Sequence, residues 1–450
     1  MRRISVIGTG YVGLVHGVMM AETGFDVICM DIDIAKIERL RNGECPIYEP
    51  GLEEIMMRNI ESGRIAFSTC IIEAIENSEL IFLAVGTPAA DDGSADLSGI
   101  FAIAEEIGRY INGYKVVVNK STVPIGTTRK IKSIINEQIQ KRDAKYGFSV
   151  VSNPEFLREG KAIRDISNPD RIVIGTEDDQ ALEIMKSVYQ AWYLGSNSLF
   201  FTNIETSEMI KYASNTFLAV KISFINEMAL LAEKVGADIT EVAKAMGMDG
   251  RISPKFLRAG PGYGGSCFPK DTKAIVESAK RQGEEMLVIQ SAIAANEKQK
   301  IKSAMKIVET MSDNGDLAGK KIAIWGLSFK PDTDDVRDAP SITIIKDLAE
   351  RSASISAFCP KGMEEAKKEL MSIADRVTYC ENEYEAVNEA DAVVLITEWA
   401  VFRGVNLEKV KELMRGNMLF DFRFVFKDNA YAKKLFDYYC IGITDRREDS

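Results

Sequence analysis

A chain of 450 residues, 46% hydrophobic and 27% charged, is too long for one ordinary core and is expected to fold as two or three domains. Its net charge of −11 argues against nucleic acid as a main partner, because phosphate binding needs a basic face. Seven cysteines without a CxxC pair argue against a disulfide framework and a metal centre, and the single histidine, His16, leaves a Ser-His-Asp triad or a His base almost no material; proton transfer then falls to Asp, Glu, Lys, Cys or water.

Residues 3–7 read as a buried first strand that breaks at Gly8, too early for a signal peptide. No apolar run reads as long enough to span a bilayer, so a cytosolic protein without membrane insertion is expected. A helix follows from Val12 to Thr23, with His16 on it as an ordinary helix residue. A second strand, Phe25 to Met30, ends at Asp31. Between strand and helix lies Gly8-Thr-Gly10-Tyr-Val-Gly13. Its glycines permit a tight turn and close approach of backbone N–H groups to a pyrophosphate. Asp31 stands 18 residues after Gly13, where a carboxylate bonds ribose hydroxyls and repels a 2′-phosphate. NAD is therefore the expected cofactor.

Leu80 to Val85 and Lys115 to Asn119 are further buried strands, followed by Gly/Pro/Thr loops, and Val150-Val151 and Ile172 to Ile174 continue the pattern. Asn153-Pro-Glu155-Phe-Leu-Arg-Glu159-Gly160 reads as a loop and helix start. From Ile204 to Val235 the chain is apolar nearly all round at helical spacing, through Met209, Ile210, Phe217, Val220, Phe224, Met228 and Leu231. Such a helix is expected to be buried between domains or subunits. Lys211 and Asn215 share one of its faces. Lys211 reads equally as half of a buried ion pair, with Glu208 as partner, or as a cation aimed at a polar substrate.

Helices continue to about residue 312 and contain Gly264-Gly-Ser-Cys267-Phe-Pro-Lys270-Asp271. There a thiol sits in a glycine-rich turn beside an amine and a carboxylate. Nearby positive charge favours the thiolate, and the glycines would let backbone approach a substrate. A nucleophile and a structural turn both remain open for Cys267 on local sequence. A second α/β block starts at Lys320, with strands at Ile355 to Phe358, Ala392 to Ile396 and, last, Met418 to Phe420. The charged tail from Asp445 is expected to fray. The plan is α/β: two Rossmann-like doubly wound parallel sheets, 1–203 and 313–450, joined by a helical region, 204–312, that holds the long helix and the cysteine loop.

GTGYVGL, YEPGL at 48–52, VGTP at 85–88, STVP at 121–124, NPEFLREG, NPDRIVIG at 168–175, GGSCFPKD, GLSFKPDTDDVRD at 326–338 and TEW at 397–399 occur in order over nearly the whole chain. In these the chain resembles the UDP-glucose/GDP-mannose dehydrogenase family. It departs from the family at Cys359-Pro360, where Asp often precedes Pro, and at Asp421-Phe-Arg423-Phe, where Asp-Gly-Arg-Asn is usual.

The resemblance implies oxidation of a nucleotide sugar twice at C6, with two NAD+ and one water consumed. UDP-glucose is the substrate expected first; GDP-mannose, a UDP-N-acetylhexosamine, or a non-catalytic nucleotide-sugar-binding protein are the alternatives. It implies that Gly8, Gly10, Tyr11, Val12, Gly13, Asp31, Lys36, Thr87, Thr122, Glu159 and Arg337 hold NAD. Phe156, Leu157, Arg158, Glu159, Lys211, Asn215, Phe256, Gly264, Lys330 and Arg423 would bind the sugar nucleotide. Arg251 would reach the partner's site in a homodimer. Cys267 would form a thiohemiacetal and then a thioester, and Lys211 and Asn215 would stabilise the oxyanion. Asp271 or Glu155, with Thr122, would move the protons.

Overall fold

The structure, a computed structural model, describes residues 3–88, 93–193 and 199–444; the tail expected to fray lies outside them. The chain divides into two compact units, Met1–Ser214 with Glu277–Gly283, and Asn215–Val276 with Glu284–Ser450.

The first unit is built on eight strands: β1 Arg3–Ile7, β2 Asp26–Met30, β3 Ile65–Ser68, β4 Leu80–Leu83, β5 Lys115–Asn119, β6 Phe148–Ser152, β7 Ile172–Gly175 and β8 Leu199–Thr202. They lie in the order β3-β2-β1-β4-β5-β6-β7-β8. The first six are parallel in the 3-2-1-4-5-6 order of a dinucleotide-binding sheet. β7 joins antiparallel, through Ser152 and Gly175 alone. The strands are apolar on both faces because helices cover both. Alternate residues sort accordingly: Ile4, Val6, Phe82, Val116 and Val118 enter one core, and Ile7, Ile81, Leu83 and Val117 the other.

The second unit repeats the order with β9 Lys321–Trp325, β10 Ser354–Phe358, β11 Val377–Tyr379, β12 Ala392–Leu395, β13 Met418–Asp421 and β14 Asp437–Cys440, arranged β11-β10-β9-β12-β13-β14 and all parallel. Met418 to Phe420 is therefore not the last strand. Asp-Tyr-Tyr-Cys follows on the sheet edge, its two half-exposed tyrosines breaking the apolar run of a buried strand.

The long helix spans Ile204–Val235 as its periodicity predicts. It is not buried all round. Met209, Phe217, Phe224 and Leu231 are 53%, 63%, 44% and 53% exposed in the single chain. Spaced seven or eight apart, they form one stripe. The inward face is instead taken by Ser207, Glu208, Lys211, Tyr212, Asn215, Thr216, Ser223 and Asn226, all buried. By length and hydropathy alone the helix would also satisfy a membrane span, contrary to the expectation of no such run. Its buried, hydrogen-bonded charges mark it as a core helix.

Candidate active site

The first turn of the first unit has the shape a pyrophosphate needs. Gly8 adopts φ +98°, and a Cβ on Gly13 would stand 1.9 Å from the Gly8 carbonyl oxygen, so no larger residue closes this turn. A Cβ on Gly10 would meet nothing within 4 Å, which leaves the turn open on its outer side. Gly10 caps the helix Tyr11–Glu22 and no side chain caps it in turn, so its first N–H groups suit an anion. Val12 follows, half-buried.

Asp31, at the end of β2, accepts from the Thr9 N–H and hydroxyl, both at 2.8 Å, and from Lys36 Nζ at 3.2 Å. Burial raises its pKa, but these bonds offset that and hold it below the usual carboxylate range, so it stays an anion at the end of β2. Thr87 donates its hydroxyl to the Thr122 carbonyl at 2.9 Å, drawing those two loops together. These residues fit NAD.

A buried polar cluster lies where β5 and β6 end. Lys211 donates to the Glu155 carbonyl at 2.7 Å and to its Oε1 at 2.8 Å, with both side chains nearly inaccessible. Its partner is thus Glu155 and not Glu208. Glu208 accepts instead from the Gly126 and Thr128 N–H groups, at 2.6 and 2.8 Å, at the start of the helix Thr127–Lys141. Burial pushes the Glu155 carboxyl up, but the Lys211 ammonium and the Leu157 N–H more than offset it and hold it below the usual range. Two cations lie over the Phe156 ring, the Arg171 guanidinium 3.9 Å and Lys211 Nζ 5.4 Å from its centre. Leu157 packs on the core, Arg158 pairs with Asp165 and Glu159 is half-buried.

Sequence reasoning missed Lys120. It is buried and donates to Asn153 Oδ1 at 3.3 Å. Burial pulls its ammonium down to about 8, against the pull of Glu155 and with the push of Lys211. Its signal was a lysine closing the apolar run KVVVNK. His16 sits nearby, its ring 4.6 Å from Phe82 and edge-on to it, and its Nε2 has no partner among the described residues. Burial and Lys120 hold its pKa well below the usual value, so it is neutral and not a proton carrier.

The second unit holds the thiol. Cys267 is not simply in a turn. Its carbonyl accepts the Asp271 N–H at 2.8 Å, which makes it the cap of the helix Phe268–Arg281, with Pro269 in the first turn. A helix N-terminus favours the thiolate. Asp271, one turn on, is buried and accepts from Asn215 Nδ2 at 2.6 Å and from Lys270 Nζ at 2.8 Å. Lys270 is thereby engaged with Asp271.

The glycines let the protein's own chain approach closely. A Cβ on Gly264 would fall 2.4 Å from the Asp338 carbonyl oxygen, and one on Gly265, at φ +85°, 2.8 Å from the Phe329 ring. Asp335 ties the loop down, accepting from the Ser266 N–H at 3.0 Å and from the Arg337 guanidinium. Asp335 stands among acidic neighbours, Asp332 and Asp334, and nothing local in the sequence sets it apart.

Phe256 adopts φ +63°, uncommon for a bulky residue, with its ring tilted on Phe268. Lys330 Nζ lies 5.1 Å from the centre of the Phe329 ring. Arg423 is enclosed, donating to the Ile396 carbonyl at 2.8 Å beside Glu398. Arg251 points outward, its side chain 90% exposed and paired locally with Asp249. No group of three or more metal-ligating side chains occurs among the described residues.

Three family models match the chain in sequence. The UDP-glucose/GDP-mannose dehydrogenase family NAD binding domain covers residues 2–193, its central domain 205–298 and its UDP binding domain 323–428. A UDP-glucose 6-dehydrogenase of Rhizobium meliloti (strain 1021) is 46% identical over 98% of this chain and 100% of its own length. The UDP-glucose 6-dehydrogenase TuaD of Bacillus subtilis (strain 168) is 44% identical over 98% and 93%. Among solved structures, a UDP-glucose dehydrogenase from the hyperthermophilic archaeon Pyrobaculum islandicum superposes with a TM-score of 0.88 at 38% identity, covering 99% of this chain and 98% of that one.

Proposed function

The chain belongs to the UDP-glucose/GDP-mannose dehydrogenase family and carries its NAD binding domain, and from that premise we propose that it oxidises UDP-glucose at C6 to UDP-glucuronate, in two NAD-dependent steps through a thioester on Cys267. The observation that carries this reading is the placement of Cys267 as the cap of a helix, with the Asn215–Asp271 pair one turn on.

The turn Gly8–Gly13 and Asp31 would hold NAD+, which would supply the hydride acceptor for each oxidation. The residues of the chain do the rest. Asp271 takes the proton of the C6 hydroxyl, directly or through water, while Lys211 and Asn215 stabilise the developing oxyanion. The Cys267 thiolate adds to the C6 aldehyde, forming a carbon–sulfur bond. Lys211 and Asn215 hold the oxygen of that thiohemiacetal as the oxyanion left by thiolate addition, and loss of the second hydride from it leaves a neutral thioester. Glu155, held as a carboxylate by Lys211, or Asp271 activates the water that attacks it, with Thr122 positioning. The carbon–sulfur bond breaks, and the thiolate and the uronate are released. The chain reads in three parts for these tasks: 1–203 for the cofactor, 204–312 for the cysteine loop and dimerisation, and 313–450 for the nucleotide.

A cytosolic homodimer accompanies this reading. The stripe Met209, Phe217, Phe224 and Leu231 and the outward Arg251 support it, since an apolar stripe on a core helix suits a second copy. Sedimentation of the purified chain is expected to give twice the chain mass, and Phe217→Asp to give monomer. A wild type that sediments as monomer at assay concentration would refute the dimer.

The activity is tested by supplying UDP-glucose, GDP-mannose, UDP-N-acetylglucosamine and UDP-N-acetylmannosamine in turn with NAD+. UDP-glucose is expected to react fastest and to yield two NADH per sugar. One NADH per sugar, with free aldehyde accumulating, would remove the thioester. A faster rate with another sugar would reassign the substrate.

A further inference from the structure

The motif Tyr48-Glu49-Pro50-Gly51-Leu52 takes no part in the chemistry above, yet its carboxylate is buried. Gly51, at φ +83°, starts the helix Leu52–Glu61, and Leu52 anchors that start in the core. Glu49 is thereby turned inward. Its Oε2 accepts the Gly160 N–H at 2.7 Å, and its Oε1 the Ala162 N–H at 2.8 Å and the Ile163 N–H at 3.4 Å. Oε2 also accepts the hydroxyl of Tyr11, the residue that follows Gly10 in the cofactor turn. The same hydroxyl accepts the Gly160 N–H at 2.8 Å. Burial and the Glu49 carboxylate push the Tyr11 phenol far above its usual pKa, so it remains the donor.

Besides the pairing of Arg158 with Asp165, the loop 153–160 is held at three points. Asn153 fixes its start, donating to the Val173 carbonyl at 2.8 Å. Lys211 fixes Glu155. Glu49 fixes Gly160, whose φ of +76° a glycine reaches without strain. Phe156 to Glu159 lie between those points. We propose that Glu49 is a positioning residue for the reaction: it joins Tyr11 of the cofactor turn to the end of the Glu155–Gly160 loop, so that the two are set in register by one carboxylate. The catalytic part of this inference rests on the proposed function; the cofactor part does not.

The test compares Glu49→Gln, Glu49→Asp and Tyr11→Phe with wild type in the full chain. NADH affinity is read by fluorescence titration, and kcat and KM are read with UDP-glucose and NAD+, all well below the melting temperature. Glutamine keeps the shape but turns an NH2 toward amide donors, leaving one of them unpaired in a buried place. Glu49→Gln is expected to weaken NADH binding and to lower kcat by about tenfold each. Glu49→Asp restores the charge on a shorter arm and is expected to recover part of both. Tyr11→Phe removes only the shared hydroxyl and is expected to lower both by about threefold with little change in melting temperature.

A purely structural Glu49 would instead lower the melting temperature and leave NADH affinity and kcat within about twofold of wild type. That result for Glu49→Gln overturns the proposal. If Glu49→Gln does not fold, the same result for Tyr11→Phe overturns it. A wild type that binds NADH but leaves UDP-glucose unoxidised would sink the proposed function, and the NADH arm would still decide the link to Tyr11.

Discussion

Cys267→Ser is expected to lower steady-state UDP-glucose oxidation by at least about 10³-fold, because a serine hydroxyl is hardly ionised where a thiolate is. The variant should fold normally. Serine is nearly isosteric, and the Cys267 carbonyl that caps the helix is backbone and unchanged. The defect is also expected to be selective. The first hydride transfer needs Asp271, Asn215 and Lys211 but not the thiol, so rapid mixing should yield one NADH per sugar where wild type gives two. Turnover within tenfold of wild type would show that Cys267 is only a cap.

Lys211→Met is expected to lower kcat by about 10²–10³-fold, the loss typical of one preorganised oxyanion donor. It should also destabilise the protein by about 3–5 kcal/mol at neutral pH, since it leaves the buried Glu155 carboxylate without its partner. The pH dependence follows from the sign of the Glu155 shift. Its folded pKa lies below the ordinary 4.5, so the pair's contribution is complete above that value and is lost as the pH falls through the folded pKa. The gap in stability between wild type and variant should therefore be widest at neutral pH and close in acid. Denaturant unfolding at neutral and acid pH measures it. A gap that widens in acid would mean that Glu155 is not the carboxylate Lys211 holds.

What the sequence disclosed and what it hid differ in range. GTGYVG with Asp31 needs only local geometry: a strand, a tight turn and a helix, all visible within about thirty residues. The long helix was equally legible, down to its ends. Its facing was not. Periodicity shows where side chains point relative to one another and does not show which face the core claims. Here Lys211, Asn215 and Asn226 claimed the inside and Phe217 was left out. The partner of Lys211 was misread for a related reason. Glu208 is near in sequence, whereas Glu155 arrives from the loop after β6. Lys120, Asp335 and Glu49 were passed over because each looks ordinary among charged neighbours. Only burial, which depends on the whole fold, distinguishes them.

The isolation of His16 has a use in spectroscopy. One imidazole among 450 residues means one set of histidine ring resonances per chain, with no assignment problem. Buried on Phe82 and held neutral, that ring should not titrate in ordinary buffers. Movement of its lines on adding a sugar nucleotide would therefore report a change in its surroundings, the Phe82 ring and the Lys120 ammonium among them, and not its own protonation. The protein carries its own magnetic reporter beside the end of β5, with no label to introduce.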